Sequence, residues 1–289
     1  MRLIGLMVLR NEEWIAEAAI KAALRWVDGL AIFLDRSTDG TLHIIREIAK
    51  DAEKEIIASV SEDTEHWEEM YNRQKNLEDG RSIGGTHFAI IDADEILTAN
   101  NLPMVRGWFE ALEPGQVIDL PMIAPWGSLD LYSPHTRGVI TLGFRDMEGL
   151  GWAPRGDEQY HHHNRPPHGY TGRIMPITSP EHGGVFHLQW ASMRRVKAKH
   201  CHYQMSEAIR WGYPNAEINE KYHWWAKPPH GTDLLGIPAD WWEGYERDKI
   251  NLRHIPWYEW EIKKMVRKYG PEKFEGMDLF GYNYAAQPH

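Results

Sequence analysis

Residues 87–97 read HFAIIDADEIL, in which Phe88, Ala89, Ile90 and Ile91 are followed at once by Asp92, Asp94 and Glu95. A short continuous apolar run bounded by polar residues suits a strand buried on both faces. Three carboxylates at the tip of such a strand repel one another unless a positive group sits among them. The fold class follows from what surrounds this strand, and the chemistry follows from what neutralises its tip.

Outward toward the N-terminus, strand and helix signals alternate, which is the pattern of a parallel sheet covered by helices. Leu3–Leu9 reads as a first strand. Asn11 is placed to cap a helix with Glu12 and Glu13 in its first turn, and Ile15, Ala18, Ala19, Ala22, Ala23 and Trp26 recur at helical spacing. Leu30–Leu34 is a second strand closing on Asp35, the turn RSTDG follows, and Thr41 opens a helix to about Lys50. Ile56–Val60 is a third strand. The acidic stretch Glu62–Asn76 reads as a helix and Asp79–Gly85 as a loop, so the opening stretch is the fourth strand. Beyond it, Met104–Leu112 is a predicted helix and Val117–Met122 a predicted strand.

The rhythm then changes. Residues 125–185 are rich in Gly, Pro, His and Arg, and are expected to form loops and antiparallel strands such as Gly138–Phe144 over the sheet's end. From Met205 onward, aromatic helical segments at Ala208–Trp211, Trp241–Leu252 and Trp257–Tyr269 are broken by PP, GIP and YGP. The expected organisation is a domain over 1–210, with a donor-binding part to about 123 and an acceptor side over 124–210. An aromatic-rich helical extension, 211–289, packs on it. No internal repeat is visible.

Composition sets outer limits. The 289 residues, 42% hydrophobic and 26% charged, suffice for a full core. One cysteine, Cys201, excludes an internal disulfide framework and a cysteine-rich zinc site, and fits a reducing compartment. Leu3–Leu9 ends at Arg10-Asn11-Glu12-Glu13 without a small-residue cleavage pattern, and no apolar run reaches the roughly 20 residues of a membrane span. A cytoplasmic chain is the expectation. The net charge of −10 argues against broad nucleic-acid binding. The 14 tryptophans serve equally as core filler and as platforms for sugars or bases.

In open α/β sheets, ligands bind outside the carboxyl ends of the strands. Those ends carry Arg10-Asn11-Glu12, then Asp35 with Ser37-Thr38-Asp39, then Asp92-Ala93-Asp94. Carboxylates at such a rim can hold Mg²⁺ or Mn²⁺ against a diphosphate, because hard ions complete their shell with phosphate oxygens and water. Asp39 can equally cap the helix at Thr41. The run His161-His162-His163 cannot converge on one ion without an unusual turn, and His200 and His202 flank Cys201 at strand spacing. Arg194, Arg195, Lys197 and Lys199 form a basic stretch that reads equally as a contact for a diphosphate or an anionic acceptor and as a solvated strand.

The combination RNEEWI at 10–15, FLDRSTDGT at 33–41 and IIDADEIL at 90–97 resembles the nucleotide-sugar glycosyltransferases of the family 2-like, GT-A class, over about residues 3–123. The resemblance implies a Rossmann-like, mostly parallel central sheet flanked by helices, and an inverting, metal-dependent transfer from a nucleotide-diphosphate sugar to an acceptor hydroxyl. It implies a donor pocket formed by Leu9, Arg10, Asn11, Glu12, Asp35, Asp39 and Asp92. It also implies an Mn²⁺ or Mg²⁺ held by Asp92, Asp94 and a later histidine, for which GGVFHLQW offers His187. An imidazole among the ligands favours Mn²⁺. For the general base, PRGDEQYH offers Asp157 and Glu158. The acceptor stays open among a glycan, a lipid-linked sugar, a protein, a small molecule and a modified nucleic acid. Glu95 is expected to be structural. Two other readings exist: a phosphatase of the haloacid dehalogenase type using Asp92 and Asp94, and a non-catalytic carbohydrate-binding protein.

Overall fold

The computed structural model describes residues 1–61, 67–134, 138–153, 165–222 and 233–278. Its elements in chain order are β1 (Leu3–Leu9), α1 (Ala16–Leu24), β2 (Gly29–Asp35), α2 (Thr41–Asp51), β3 (Glu55–Ser61), α3 (Glu69–Ser82), β4 (His87–Ile90), β5 (Glu95–Leu97), α4 (Leu102–Glu110), β6 (Gln116–Ile123), β7 (Leu131–Tyr132), β8 (Val139–Arg145), β9 (Gly172–Ile174), β10 (Val185–His187), α5 (Met193–Arg210), α6 (Asn215–Tyr222), β11 (Leu235–Gly236) and α7 (Tyr258–Tyr269). The chain divides into two compact units. One comprises 1–123, 136–188 and 237–251, and the other 124–135, 189–236 and 252–289.

The first unit is α/β. Its sheet runs β3-β2-β1-β4-β8-β6-β10-β5, with β9 beside β6. The neighbours β3, β2, β1 and β4 are all parallel, as the alternating strand and helix signals imply. β1 and β2 are buried along their whole length, which is why they read as continuous apolar runs. β3 is the edge strand and alternates between exposed and half-buried positions.

Several expectations change in the folded chain. Asn11 does not cap α1, which begins five residues later at Ala16; it takes φ +54° in the loop instead. The segment Asp79–Gly85 was expected to be a loop, yet α3 continues to Ser82. Gly80 stands within the helix because a Cβ there would press on Leu6 and Phe88, so its absence is a packing requirement rather than a break. Finally, β8 does not lie over the sheet's end. It enters the sheet, antiparallel to both β4 and β6, and Gly143 permits this because a Cβ at that position would collide with the Phe88 carbonyl. Phe88, Phe144 and Trp152 then pack ring against ring, with centroids 5.4 and 5.8 Å apart. The segment Trp241–Leu252 is a pair of single 3₁₀ turns, and Trp242 stacks on Phe186 at 4.2 Å.

The second unit is largely helical. Cys201, Met205, Ile262 and Phe274 form a buried cluster shared by α5, α7 and the turn after it. His200 and His202 lie on α5, so they have helical rather than strand spacing. Lys, Ala, Gln and Met are good helix formers, and the segment has no run of β-branched residues to favour a strand. The basic stretch from Arg194 lies on the same helix, where Arg194 pairs with Glu259 and Arg195 is buried. Burial pushes the Cys201 thiol up to about 12, which leaves it unreactive.

Burial, with Lys199 adding to it, pushes the His200 imidazole down to about 4. The native state therefore keeps it neutral, whereas the unfolded chain takes up a proton near pH 6.5. Its contribution is complete above pH 6.5 and is lost as pH falls from there toward 4. In denaturant titrations at pH 7 and pH 5, the wild type should lose about 2 kcal/mol more than His200→Gln. Equal losses would remove this histidine as a cause of acid sensitivity.

Candidate functional site

The chain leaves β3 through α3 and returns on the far side of β1, so the strand order reverses between β1 and β4. That switch point, at the carboxyl ends of the strands, is where open α/β sheets bind ligands. Leu9 and Leu34 pair at the ends of β1 and β2, and the Ile91 amide bonds the Leu6 carbonyl, so the residues after all three strands share one rim.

Two non-glycine residues with positive φ follow β1 and β2: Asn11 at +54° and Arg36 at +44°. For a bulky side chain this conformation costs on the order of 1–3 kcal/mol, so it needs contacts that hold it. Arg36 has them. Its guanidinium clasps both oxygens of the fully buried Asp35 at 2.9 and 2.8 Å, and its amide bonds the Ser61 carbonyl. Arg10 lies 3.8 Å from the same carboxylate. Asn11 accepts the Thr38 amide at 2.7 Å and donates its own amide to Ser37. Asp39 accepts from the backbone of Thr41 and of Glu13, at 3.0 and 3.1 Å, and the Glu12 amide bonds Thr41. These bonds tie the loop after β1 to the loop after β2. Asp39 is thus occupied with the start of α2 and with that tie.

The positive charge among the acids of β4 is supplied by two arginines. Arg73, on α3, reaches both oxygens of Asp92 at 3.0 and 3.2 Å and is anchored to Glu69 one turn earlier. Arg165 spends five hydrogen bonds: to the carbonyls of Thr141 and Ile90, to Asp92 at 2.9 Å, and to the two oxygens of Glu95 at 2.9 and 2.5 Å. A guanidinium has five N–H donors, so all are engaged. Glu95 is buried and also accepts the Asp92 amide. Burial pushes its pKa up, against the pull of Arg165. Burial likewise opposes the charge on Arg73, but Asp92 and Glu69 outweigh it and hold that guanidinium firmly protonated.

Asp94 lies beside His187. The backbone turns at Ala93–Asp94, β5 begins at Glu95, and β10 pairs with it antiparallel, setting His187 opposite Glu95. The Leu188 amide bonds the Asp94 carbonyl at 2.7 Å. His187 Nδ1 faces the Met122 sulfur at 3.3 Å, and Nε2 faces Asp94 Oδ2 at 3.6 Å. That is too long for a hydrogen bond and close to the spacing of two donors on one ion. Among the described residues, no three His, Cys, Asp or Glu side chains gather as a metal-holding group. Asp94 and His187 stand side by side, while Asp92 gives both oxygens to arginines. Asp157, Glu158 and His161–His163 lie outside the described residues.

Sequence reasoning missed Arg73 and Arg165. The Glu69–Arg73 spacing of four is visible as a helical ion pair, but nothing in the chain links Arg165 to a motif 73 residues earlier.

No family model and no curated protein matches the chain. Solved structures similar to it include S. aureus TarS 1-349 in complex with UDP, at 15% identity and a TM-score of 0.34, covering 42% of this chain and 35% of that one. Another is glucosyl-3-phosphoglycerate synthase from Mycobacterium tuberculosis in complex with Mg²⁺ and UDP, at 20% identity and a TM-score of 0.27, covering 42% and 43%. The chain thus spans less than half of the length of each. No helix among the described residues is long and apolar enough to cross a membrane.

Removing Arg165 takes from buried Glu95 the cation hydrogen-bonded to it, which costs about 3–5 kcal/mol in comparable pairs. Arg165→Ala should lower unfolding stability by that amount in urea titrations. Arg165→Lys should recover only part, because one ammonium cannot span the same acceptors. An Arg165→Ala protein as stable as wild type would show that the network carries no structural weight.

Proposed function

We propose that the chain transfers a sugar from a nucleotide-diphosphate sugar to an acceptor hydroxyl at the rim between β1 and β4. The observation that carries the reading is the pairing of Asp94 with His187 beside an Asp92 already neutralised by two arginines. This separates two tasks that three neighbouring acids could not otherwise perform together. Asp94 and His187 would hold a divalent ion, Mn²⁺ by preference for the nitrogen ligand, and two protein ligands leave positions for phosphate oxygens and water. When bound, that ion supplies charge stabilisation to the departing diphosphate.

The residues of the chain do the rest. Leu9, Arg10, Asn11 and Glu12 line the nucleoside end of the rim. Asp35 acts there by fixing Arg10 and Arg36, whose side chains are partly exposed while its own is not. Asp92, locked by Arg73 and Arg165, presents a fixed acceptor toward the ribose. Preorganised groups of this kind need no rearrangement as charge develops. The base for an inverting transfer is assigned to Asp157 or Glu158 on sequence grounds.

Calorimetry with UDP and GDP, with Mn²⁺ and after chelation, tests the centre of the reading. Binding of one nucleotide should require the metal and be lost in both Asp94→Ala and His187→Ala, and transfer should fall by about 10²-fold or more. Equal binding after chelation would refute the metal bridge. A panel of nucleotide sugars should show slow metal-dependent hydrolysis, whereas release of inorganic phosphate from phosphomonoesters would favour a phosphatase.

The base has its own test. Replacing the correct one of Asp157→Asn and Glu158→Gln should cut transfer by roughly 10²–10⁴-fold with donor affinity intact. Retention of anomeric configuration in the product, read by NMR, would remove the need for that base.

A further inference from the structure

Along α7, residues 260, 263, 264, 267 and 268 read Trp, Lys, Lys, Arg and Lys. The spacing i, i+3, i+4, i+7, i+8 puts all five on one face of a helix. The opposite face is the one the helical unit uses: Tyr258, Glu259 and Ile262 are buried, Met265 and Val266 pack against Cys201 and Met205, and Glu259 pairs with Arg194. The stripe itself faces water. Trp260 is 62% exposed and the Lys264 side chain 71%, Arg267 and Lys268 are exposed, and Lys263 is half-buried. Lys263 Nζ stands over the Trp260 ring, 5.1 Å from its centroid. Lys264 meets Glu261, at the edge of the stripe, in a surface pair of the kind that contributes little in water. Arg267 has no ion pair or hydrogen bond among the described residues.

Solvation accounts for the lysines, and the helix C-terminus favours Arg267 and Lys268, but neither explains an indole left in water amid four cations. The shape of the stripe limits what covers it. Eight residues at about 1.5 Å each make it about 12 Å long, and it is convex, with the cations splayed over an arc of about 140°, so they cannot converge on one small anion. They suit an extended anionic surface. Helices that read a nucleic-acid duplex pair cations with Asn, Gln, Ser or Thr toward base edges, and the stripe has none; proteins that bind single strands line a groove, and the stripe is convex. At an anionic bilayer both parts have a use. Indole rings settle at the headgroup boundary, and lysine stems are long enough for the ammonium groups to stay at phosphate level while the ring sits deeper. Clusters of about four to eight Lys and Arg on one helix face hold to acidic lipid. Screening over about 8 Å at physiological salt lets this local charge act despite the net charge of −10.

We propose that the outward stripe of α7 binds the surface of an anionic lipid bilayer, with Trp260 at the headgroup boundary and Lys263, Lys264, Arg267 and Lys268 against the headgroup phosphates. The surface lies within the helical unit and uses none of the rim residues, so it stands or falls independently of the transfer chemistry proposed above.

The test is vesicle co-sedimentation of the full chain, without nucleotide or metal, using vesicles of phosphatidylcholine alone and of phosphatidylcholine with about one-third phosphatidylglycerol. The chain should pellet with the anionic vesicles and not with the neutral ones, and rising salt should release it. Each cation near the surface multiplies partitioning about fivefold, so the double variant Lys264→Gln/Arg267→Gln should lower it about thirtyfold. Trp260→Ser should lower it about fivefold and keep the salt dependence. Arg267→Lys should bind like the wild type, because a headgroup layer responds to charge rather than to the fork of a guanidinium. Lys50→Gln, which removes an exposed charge from α2, should also bind like the wild type. All these positions are at the surface, and melting temperatures confirm that each variant folds. No binding to anionic vesicles at low salt, equal binding to neutral ones, or binding unchanged in the double variant overturns the inference. Binding of a single-stranded RNA or a DNA duplex that is lost in the double variant equally overturns it, by assigning the stripe to nucleic acid.

Discussion

The double ion pair of Asp92 and Glu95 with Arg73 and Arg165 is the constraint on which the site depends. Carboxylates at the end of a buried strand would either repel one another or take up protons. Two guanidiniums remove that conflict, and one of them does more than neutralise. By bonding the Ile90 and Thr141 carbonyls as well as both acids, Arg165 joins the end of β4 to β8. The charge that makes the acid cluster tolerable is the same group that fixes its position.

Asp92 and Glu95 are paired with arginines, and the neighbouring Asp94 lies beside a histidine. Asp94 stands in the turn just before β5 begins at Glu95. The antiparallel pairing of β10 with β5 then brings His187 to it. A carboxylate oxygen and an imidazole nitrogen are thereby held 3.6 Å apart by backbone pairing.

The opposite side of the switch point is rigid for a different reason. Asn11 and Arg36 occupy left-handed backbone that side chains rarely adopt, and a mesh of bonds through Ser37, Thr38, Asp39 and Thr41 holds them there. Strain of this sort persists where the surrounding structure over-determines it, and it clusters at ligand sites. Here it sits directly after two of the three strands whose ends define the rim.

The parallel β1–β4 core was legible in the sequence, because strands buried on both faces must be apolar throughout and the helices between them carry a periodic face. The acids at the strand ends were legible for the same reason, as polar residues stand out where an apolar run stops. Asp79–Gly85 was read as a loop although α3 runs to Ser82, and its Gly80, required by close packing, looks the same in sequence as a glycine required by a turn. The helical spacing of His200 and His202 was also misread, because a short segment without clear periodicity leaves only propensity to decide. What neutralises Asp92 and Glu95 was beyond the sequence altogether. Local spacing governs contacts within a helix or a strand, and thus the Glu69–Arg73 pair. The meeting of Arg165 with Asp92, and of His187 with Asp94, depends on which strands pair, and only the assembled sheet decides that.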